Sequence, residues 1–462
     1  MLEEKIGPWR DETASKLELE SGSRVAVIGG GPAGSFFSYF LLDMARRLGI
    51  DLRLDIYEPR DFSLPGPTGC NMCGGIVSES LVQALAVEGI NLPPTVVERG
   101  IDSYVLHMDL GSVRIDTPLR EKRIAAVHRG AGPRGVKDTK WRSFDGYLLE
   151  LAMGNGAHLV RGRVTDISWK DGLPQAKIQG GPPQAYDLLG IATGVNTSAL
   201  KLFEKLDLGY APPKTTKTYI ADFYMGQETV NRYLGSSMHV FLLDLPQLEF
   251  AALIPKGDYA TLCLLGHEID RPLVQRFLDA PEVKQCLPPE YRVPEDHCHC
   301  SPWINVQGAV RPFADRVVFI GDCGVTRLYK DGIGAAYRTA KAAATTAIFE
   351  GISAEDFRRH YWPACRAIRA DNALGKIIFA ITRQIQKRRK DRGGVLRMVS
   401  REQRTERGPR RMSMVLWDVF TGSAPYRDIL LRSLHPFFLG RFVWEIIAGI
   451  VARIWSINGQ KH

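Results

Sequence analysis

The chain has 462 residues, of which 45% are hydrophobic and 24% charged, as expected for a globular protein of about two or three domains. Eight cysteines in a chain of this length exclude a small disulfide-stabilised scaffold, and the charged residues 1–20 lack the apolar core of a signal peptide. The net charge of +9 lies in one segment, because residues 383–411 contain 12 Lys or Arg and 3 Asp or Glu. We therefore expect a protein of a reducing, cytoplasmic compartment with one basic segment.

A strand–turn–helix pattern near the amino terminus predicts a phosphate site. Residues 24–29 form a short β-branched run, which is typical of a buried parallel strand. Gly29, Gly31 and Gly34 follow as Gly-x-Gly-x-x-Gly, and a helical pattern covers residues 33–48. In such a turn the first glycine makes the bend, the second admits a pyrophosphate and the third lets helix and strand pack closely. The pyrophosphate then meets the positive end of the helix.

The second strand strengthens this prediction. Residues 52–58, Leu-Arg-Leu-Asp-Ile-Tyr-Glu, form a strand pattern that ends in Glu58. A carboxylate at that point can bind both ribose hydroxyls of an adenosine. We therefore assign Glu58, together with Pro32 and Ala33 of the glycine turn, to a dinucleotide site. The alternative is a glycine-rich turn that binds no ligand.

A late segment distinguishes a flavin from a nicotinamide. A strand pattern ends at Gly321 and Asp322, and an alanine-rich helix begins near Gly332 and continues through Ile333 and Gly334. An Asp at a strand end can hold a ribityl hydroxyl. A helix amino terminus beside the ring can stabilise negative charge at N1 and the C2 carbonyl of a reduced flavin. We therefore predict that FAD is the cofactor.

These segments resemble the FAD-binding halves of the p-hydroxybenzoate hydroxylase-like superfamily. The third match is residues 187–200, where Thr193-Gly194 stands in place of the usual Asp-Gly. The resemblance implies an α/β fold: a doubly wound, Rossmann-like FAD-binding domain, an antiparallel-sheet substrate domain and a helical carboxyl-terminal region. We predict four segments, namely 22–200 with a substrate-domain insertion around 75–140, the substrate sheet at 201–305, the end of the FAD domain at 306–352, and a helical, basic region at 353–462.

A narrower resemblance comes from Cys70-x-x-Cys73-Gly-Gly. Within the superfamily, this stretch is similar to one in the geranylgeranyl reductase family, whose flavoenzymes saturate isoprenoid double bonds. Residues 142–148, Arg-Ser-Phe-Asp-Gly-Tyr-Leu, resemble that family's Arg-x-x-Phe-Asp-x-x-Leu helix with one residue fewer after the Arg, and the resemblance implies that Arg142 binds the cofactor. The family's Tyr-x-Trp-x-Phe-Pro stretch matches only in part, because residues 250–255 lack the tryptophan. Arg327, Lys330 and Asp331 also place charge near the flavin.

The two cysteines admit several interpretations. Cys70 or Cys73 can lie at the flavin face, where a thiol protonates the carbon opposite the one that receives hydride. They can also join Cys298 and Cys300, with His297 and His299 between and beside them, in a zinc or iron–sulfur site. A reversible dithiol and a purely packing role are further alternatives. We favour proton donation or pocket shaping, with no metal.

The remaining segments predict a sheet that covers the substrate pocket and a helix that contacts a membrane. Residues 217–266 alternate in polarity with turns between, as in an antiparallel sheet that covers a hydrophobic substrate. Residues 436–455 combine many aromatic and aliphatic residues with three charges, and the longest uncharged run, 446–452, is far short of the ~20 residues that span a bilayer. An amphipathic helix on anionic lipid fits this pattern. The alternatives are docking of the apolar helix on the protein's own body or on a partner subunit, and a solvated, partly disordered basic loop. No nucleic-acid module is recognisable.

We therefore predict a cytoplasmic, membrane-peripheral, FAD-dependent oxidoreductase that transfers hydride to a double bond of an isoprenoid substrate, with NADPH or ferredoxin as electron donor. The main alternative is a membrane-associated electron-transfer flavoprotein that reduces a quinone and carries a Cys-ligated metal centre. A flavin hydroxylase and a non-enzymatic FAD-bearing scaffold come after it.

Overall fold

The computed structural model describes residues 17–70, 73–136, 141–204, 206–245, 247–294, 296–405 and 408–459. Its strands are β1 Arg24–Ile28, β2 Arg53–Tyr57, β3 Ile76–Val77, β4 Arg99–Ile101, β5 Ser103–Met108, β6 Gly111–Asp116, β7 Ile124–Ala126, β8 His158–Val160, β9 Val164–Lys170, β10 Leu173–Ile178, β11 Gln184–Ala185, β12 Leu188–Ile191, β13 Lys214–Lys217, β14 Tyr219–Tyr224, β15 Ser237–Phe241, β16 Leu248–Lys256, β17 Tyr259–Gly266, β18 Cys298–Cys300, β19 Trp303–Gln307, β20 Phe313–Ala314 and β21 Val317–Phe319.

The helices are α1 Pro32–Arg47, α2 Glu79–Val87, α3 Phe144–Gly154, α4 Leu200–Glu204, α5 Gln227–Tyr233, α6 Arg271–Asp279, α7 Pro281–Lys284, α8 Gly332–Phe349, α9 Ala354–Asp356, α10 Trp362–Lys387, α11 Arg389–Arg404, α12 Arg411–Thr421, α13 Tyr426–Ser433 and α14 Pro436–Gly459. Short 3₁₀ turns occur at Gly66–Thr68, Pro118–Arg120 and Gly321–Cys323, and a π-helical turn at Phe357–Tyr361 precedes α10. Pro363 lies in the first turn of α10, where a missing N–H costs no hydrogen bond.

The first sheet has six strands in the order β20-β21-β12-β1-β2-β8. Its central pairs are parallel, with Val27 opposite both Ile56 and Gly190, and only β20 runs antiparallel. Residues 25–28 of β1 are all buried, as expected for a strand covered on both faces. Helices α1 and α8 pack against each other on this sheet, so the predicted glycine turn and the predicted late helix lie side by side.

The second sheet has seven strands in the order β18-β14-β17-β16-β15-β5-β6, and all its pairs are antiparallel except β15 with β5. Every residue of β16 is buried, yet its two faces enter different cores. Phe250, Ala252 and Ile254 point to one side, and Ala251 and Leu253 point to the other, as the two-residue period of a strand requires. The face that carries Phe250 and Ile254 can therefore cover a site, while the other face packs in a separate core.

The predicted fold class is confirmed: a parallel, Rossmann-like sheet, an antiparallel sheet and a helical carboxyl-terminal region share the chain. Strands β5 and β6 come from the predicted insertion and join the substrate sheet. The exact domain boundaries stay predictions.

Most of the described part of the basic segment is helical, and α11, Arg389–Arg404, packs on the protein body. Arg392 makes two hydrogen bonds of 2.8 and 3.0 Å to Asp109 of the substrate sheet. Arg401 pairs with the buried Glu445 of α14 at 2.9 Å, and Arg397 donates to the carbonyl oxygen of Glu445. Several of the arginines that carry the excess charge thus fasten α11 to the protein body.

Length and apolar composition decide whether a carboxyl-terminal helix could span a bilayer. No single helix of the described ranges is long and apolar enough to cross a membrane. Helices α13 and α14 meet the length and composition criterion only as a pair, with a bend of 63° between them.

Candidate active site

The glycine turn after β1 forms a close junction that side chains would block. Gly29 has φ of +107°, a conformation that favours glycine, and an added Cβ would clash with the carbonyl oxygen of Ala192 in the adjacent strand connection. A Cβ on Gly34 would clash with the carbonyl oxygen of Gly29. The turn therefore brings the amino terminus of α1 against the strand ends. Its first-turn amides have no partner within the helix and are suited to an anion.

The carboxylate of Glu58 lies at the end of β2, beside this turn. Its Oε2 accepts a hydrogen bond of 2.9 Å from the Gly30 amide, and its Oε1 accepts hydrogen bonds of 3.0 and 3.2 Å from the backbone and side chain of Arg60. These bonds fix the buried carboxylate at the mouth of the turn. Carboxylate oxygens with remaining acceptor capacity suit the ribose hydroxyls of a dinucleotide.

The segment between β21 and α8 lines part of the same cavity as the glycine turn. Gly321 has φ of +68°, and its amide donates a 3.1 Å hydrogen bond to Thr339 of α8. Asp322 follows it at the strand end. Burial raises the pKa of Asp322, while Thr326 and Arg129 act in the opposite direction. Helix α8 then begins at Gly332, with its amino terminus facing the turn before α1. The two helix amino termini can donate hydrogen bonds to phosphate or ring oxygens, and the two carboxylates can accept hydrogen bonds from hydroxyls. Together they fit FAD.

A cavity of about 460 Å³ joins these elements. Nine of the predicted site residues line it: Gly29, Gly31, Pro32, Ala33, Glu58, Cys73, Asp322, Gly332 and Ile333. Five predicted residues do not line it: Gly34, Gly321, Gly334, Cys70 and Arg142. The three glycines among them shape the turns behind the cavity wall, where small size matters more than contact with a ligand.

Arg142 does not line the cavity, whereas Arg129 does, so the assignment of Arg142 to the cofactor stays a prediction. Arg142 is about half exposed and pairs with Glu150 on the surface. Arg129 lines the cavity and forms a two-hydrogen-bond ion pair with Asp145, one bond of which measures 3.0 Å. Burial alone would lower the pKa of Arg129, but the Asp145 carboxylate and the Cys73 side chain outweigh it and raise the pKa. A permanent cation therefore lines the cavity beside Cys73.

Only one of the two predicted catalytic cysteines faces the cavity. Cys73 lines it next to Arg129, and its Sγ accepts a 3.5 Å hydrogen bond from the Gly75 amide. Gly75 has φ of +67°, and a Cβ there would clash with the Val127 carbonyl oxygen. The backbone of Cys70 donates to Gly66, and its side chain does not line the cavity. The glycines after the cysteines thus turn the chain so that Cys73 points inward.

The part of the cavity away from the glycine turn, called the far half below, is mainly apolar, as predicted for a sheet that covers a hydrophobic substrate. It is lined by the inner face of the seven-stranded sheet and by one carboxyl-terminal helix: Ile220, Met238, Phe250, Ile254, Cys263, Leu265 and Phe420. Phe250 and Ile254 come from the stretch in which the family's tryptophan is missing. The contribution of Phe420 in α12 was not predicted, because nothing local to residues 411–421 indicates contact with a sheet more than 150 positions earlier.

One basic group lies inside this apolar half. Lys330 is buried, its amine lies over the ring of Phe250, and no carboxylate pairs with it in the described part of the chain. Burial lowers its pKa well below the ordinary value, with only Cys263 acting against this. The flanking Tyr329 and Asp331 have φ of 58° and 53°, which non-glycine residues seldom adopt. The chain is thus held so that an amine with a depressed pKa enters the cavity.

The metal interpretation of the cysteine pairs is not supported. Among the described residues, which include all four thiols and both neighbouring histidines, Cys70, Cys73, Cys298 and Cys300 do not converge on a common point. Cys298 and Cys300 lie on β18 at the edge of the substrate sheet, paired with β14. Cys300 lies close enough to Cys70 and Cys298 for electrostatic interaction. Among the described residues, however, no three of these ligand atoms lie within 4.8 Å of one another.

Comparisons with known proteins agree with this architecture. No family model matches the chain, and no curated protein sequence matches it significantly. A geranylgeranyl bacteriochlorophyll reductase-like protein from Thermoplasma acidophilum superposes with a TM-score of 0.63 at 15% identity, over 90% of this chain and 99% of its own. A flavoprotein/dehydrogenase from Cytophaga hutchinsonii superposes with a TM-score of 0.59 at 13% identity, over 92% and 99%. The chain has the fold of an FAD-dependent flavoprotein.

A monooxygenase shares that fold as well. The p-nitrophenol 4-monooxygenase from Pseudomonas putida superposes with a TM-score of 0.55 at 13% identity, over 90% of this chain and 97% of its own. The prediction of FAD as cofactor agrees with these neighbours and with the donor set around the glycine turn. Because such neighbours include a monooxygenase and a reductase-like protein, the reaction has to be argued from the cavity itself.

Proposed function

We propose that the protein is an FAD-dependent oxidoreductase that saturates a double bond of an isoprenoid chain at a membrane surface. The observation that carries this proposal is the continuity of the cavity. Its near half is lined by the glycine turn and Asp322, its far half by the apolar face of the sheet, and Cys73 with Arg129 lies where the halves meet. An apolar chain in the far half would present a double bond to that junction.

FAD bound in the near half, once reduced by NADPH or ferredoxin, would supply a hydride to one carbon of the double bond. The chain's own residues would then complete the reduction. Cys73 would donate its thiol proton to the other carbon, so that two hydrogens are added in total. The Arg129 guanidinium would stabilise the thiolate that remains, and a proton from solvent would restore the thiol. Asp145 fixes Arg129 in this position through their ion pair.

The cavity walls would keep water from the reacting carbons. Met238, Phe250 and Phe420 come from three separate elements of the far half and present no hydrogen-bonding group. A prenyl chain that replaces water there gains about 0.8 kcal/mol for each buried methylene. The shape of this half would therefore select an extended apolar substrate.

Helix α14 supports a membrane-facing orientation. Its charged Glu445 is fully buried against α11, while Phe437 is 76% and Trp444 58% exposed. The inner side of α14 packs in the ordinary way, through Phe438 and Phe442, so the exposed apolar residues are additional to a buried apolar side. Val443, Ile447 and Ile450 extend the exposed stripe at helical spacing. Arg432 and Arg441 are partly exposed and pair with Asp418 and Glu445. An exposed apolar stripe, in a chain with partly exposed arginines, suits insertion into an anionic lipid surface, from which a prenyl lipid would be taken.

A second candidate function has one observation in its favour. Lys330 offers a hydrogen-bond donor that a hydrocarbon chain does not need, whereas a quinone carbonyl could accept from it. In that case the protein would pass electrons to a membrane quinone and leave the prenyl chain unchanged.

Mass spectrometry of the products distinguishes the two functions. The FAD-loaded protein, kept air-free with a chemical reductant, is incubated separately with geranylgeranyl diphosphate and with a menaquinone. A gain of two hydrogens for each saturated side-chain bond supports the prenyl reductase. An unchanged prenyl chain with the quinone ring reduced to a quinol rejects it in favour of electron transfer.

A further inference from the structure

The face of the seven-stranded sheet that points away from the cavity carries a separate cluster of ligand groups. His107 of β5 and His239 of β15 lie on neighbouring strands, two register positions apart on the same face. Met238, next to His239, lines the cavity, so His239 points to the opposite side. Cys286, two residues after α7, covers the histidines from above that face.

The three side chains direct their ligand atoms at one point. His107 Nε2 and His239 Nδ1 are 2.8 Å apart, and Cys286 Sγ lies 3.5 and 3.4 Å from them. All three residues are more than nine-tenths buried. Within the described ranges this is the one group of three or more such residues whose ligand atoms lie within 4.8 Å of one another.

The outer nitrogen of each ring has its own partner. His239 Nε2 is 3.3 Å from the Leu234 carbonyl oxygen, which can accept its proton. His107 Nδ1 is 2.7 Å from Ser112 Oγ and 3.0 Å from the Gln285 side-chain amide. In this arrangement the Gln285 amide donates to His107 Nδ1, and His107 Nε2 donates to His239 Nδ1. Metal binding would move the His107 proton to Nδ1, where Ser112 Oγ or the turned Gln285 amide oxygen can accept it, so that both inner nitrogens present lone pairs. Such outer partners are the usual support of metal-ligating histidines.

We propose that His107, His239 and Cys286 bind one Zn²⁺ ion. A tetrahedral zinc ion with bonds of about 2.05 Å to nitrogen and 2.3 Å to sulfur needs about 3.3 Å between nitrogens and about 3.6 Å between nitrogen and sulfur. The nitrogen–sulfur distances already match, and the two nitrogens have to separate by roughly 0.5 Å. Binding releases the thiol proton of Cys286 to solvent and involves no oxidation.

The site would fasten the α6–α7 segment to the sheet. Between Arg271 and Leu287 this segment packs on the outer face through Leu273, Phe277 and Val283. The zinc ion would add a bond from Cys286 to two strands that carry cavity residues on their other face. A water molecule or the Glu282 carbonyl oxygen, which lies 3.5 Å from Cys286 Sγ, is available as fourth ligand.

The test is metal retention by the full-length, FAD-loaded protein. The protein is freed of metal with a chelator, incubated with Zn²⁺, dialysed and analysed for zinc by elemental mass spectrometry. We expect about one Zn²⁺ per chain for the wild type. We expect retention to fall at least ten-fold in Cys286→Ser and in His239→Gln. Cys298→Ser, whose thiol lies on β18, is the matched control and should retain zinc like the wild type.

Co²⁺ gives a second measurement that does not depend on stability. Tetrahedral Co²⁺ bound to a thiolate has long-wavelength d–d bands beyond the absorption of oxidised flavin. These bands should appear in the wild type and in Cys298→Ser, and should be lost in Cys286→Ser. Absence of bound zinc in the wild type, or equal retention in wild type and Cys286→Ser, overturns the proposal. Neither result depends on whether a prenyl chain or a quinone is reduced.

Discussion

Asp145, at the start of α3, holds Arg129 inside the cavity with a two-hydrogen-bond ion pair. The arginine stands between the predicted flavin site and Cys73, so its position depends on a carboxylate that does not itself line the cavity. This pair makes α3 a support of the site.

Replacement of Asp145 should therefore weaken both the fold and flavin binding. In Asp145→Asn the buried guanidinium loses its charged partner, and the free energy of unfolding should fall by about 3–5 kcal/mol. The ratio of flavin to protein absorbance should fall with it. Arg142→Gln, which breaks only the exposed pair with Glu150, should change the unfolding free energy by less than about 1 kcal/mol. Equal effects of the two variants would contradict the assignment of Arg129 to the site.

The two cysteines should differ in their effect on turnover. Cys73→Ser replaces a thiol at the cavity junction by a much weaker acid, so prenyl reduction should fall by about 10²–10⁴-fold with FAD retained. Cys70→Ser should reduce turnover less than about two-fold, because Cys70 does not line the cavity. Turnover is measured with saturating reductant, and FAD retention is measured from the flavin absorbance of each variant. Unchanged turnover in Cys73→Ser would remove this thiol from the mechanism.

Lys330→Met separates the two candidate functions. A prenyl substrate needs no donor at this position, so prenyl turnover should stay within about three-fold of wild type, whereas a quinone reductase should lose activity. The variant should also be more stable at neutral pH. Because the folded-state pKa of Lys330 is depressed, the wild type becomes more stable as pH rises, and the advantage of methionine should shrink toward pH of about 10.4. An equally large advantage at all pH values would contradict a depressed pKa of Lys330.

Glu98 gives a pH dependence of the opposite sign. Burial raises the pKa of Glu98 to about 8, with Lys256 acting against it and Asp258 and Asp222 adding to it. The folded protein then binds more protons than the unfolded chain between pH of about 4.5 and 8, so stability falls as pH rises through this range. Glu98→Gln should remove this loss, at most about 1.4 kcal/mol for each pH unit. In denaturant titrations, the unfolding free energy of the variant relative to wild type should be higher at pH 8 than at pH 5. An equal difference at both pH values would contradict a raised pKa of Glu98.

Part of the architecture follows directly from the sequence. The strand before Gly29, the strand that ends at Glu58 and the helix after Gly332 were predicted nearly to the residue, because local periodicity and turn chemistry determine them. Phe420 and Arg129 were not predicted, because their roles depend on contacts between distant segments. Arg142, two residues before α3, was assigned from a family pattern, which gives a residue type but not whether its side chain reaches the cavity.

The exposed stripe of α14 should bind anionic vesicles. Trp444→Glu places a charge in the stripe and should reduce co-sedimentation with vesicles that contain phosphatidylserine by at least five-fold. Trp169→Glu, on a partly exposed tryptophan of β9, is the matched control and should bind like the wild type. Equal vesicle binding by both variants, or no binding by the wild type, would contradict a membrane-facing α14.

The reduction of a prenyl double bond is tested most directly by a single turnover. The FAD-loaded protein is chemically reduced under argon and mixed with one equivalent of geranylgeranyl diphosphate, while the absorbance of oxidised flavin is followed and the product is weighed. We expect the flavin to be re-oxidised and an equal amount of product, heavier by two hydrogens, to form. A flavin that stays reduced with this substrate, or that is re-oxidised without a gain in product mass, would contradict prenyl reduction.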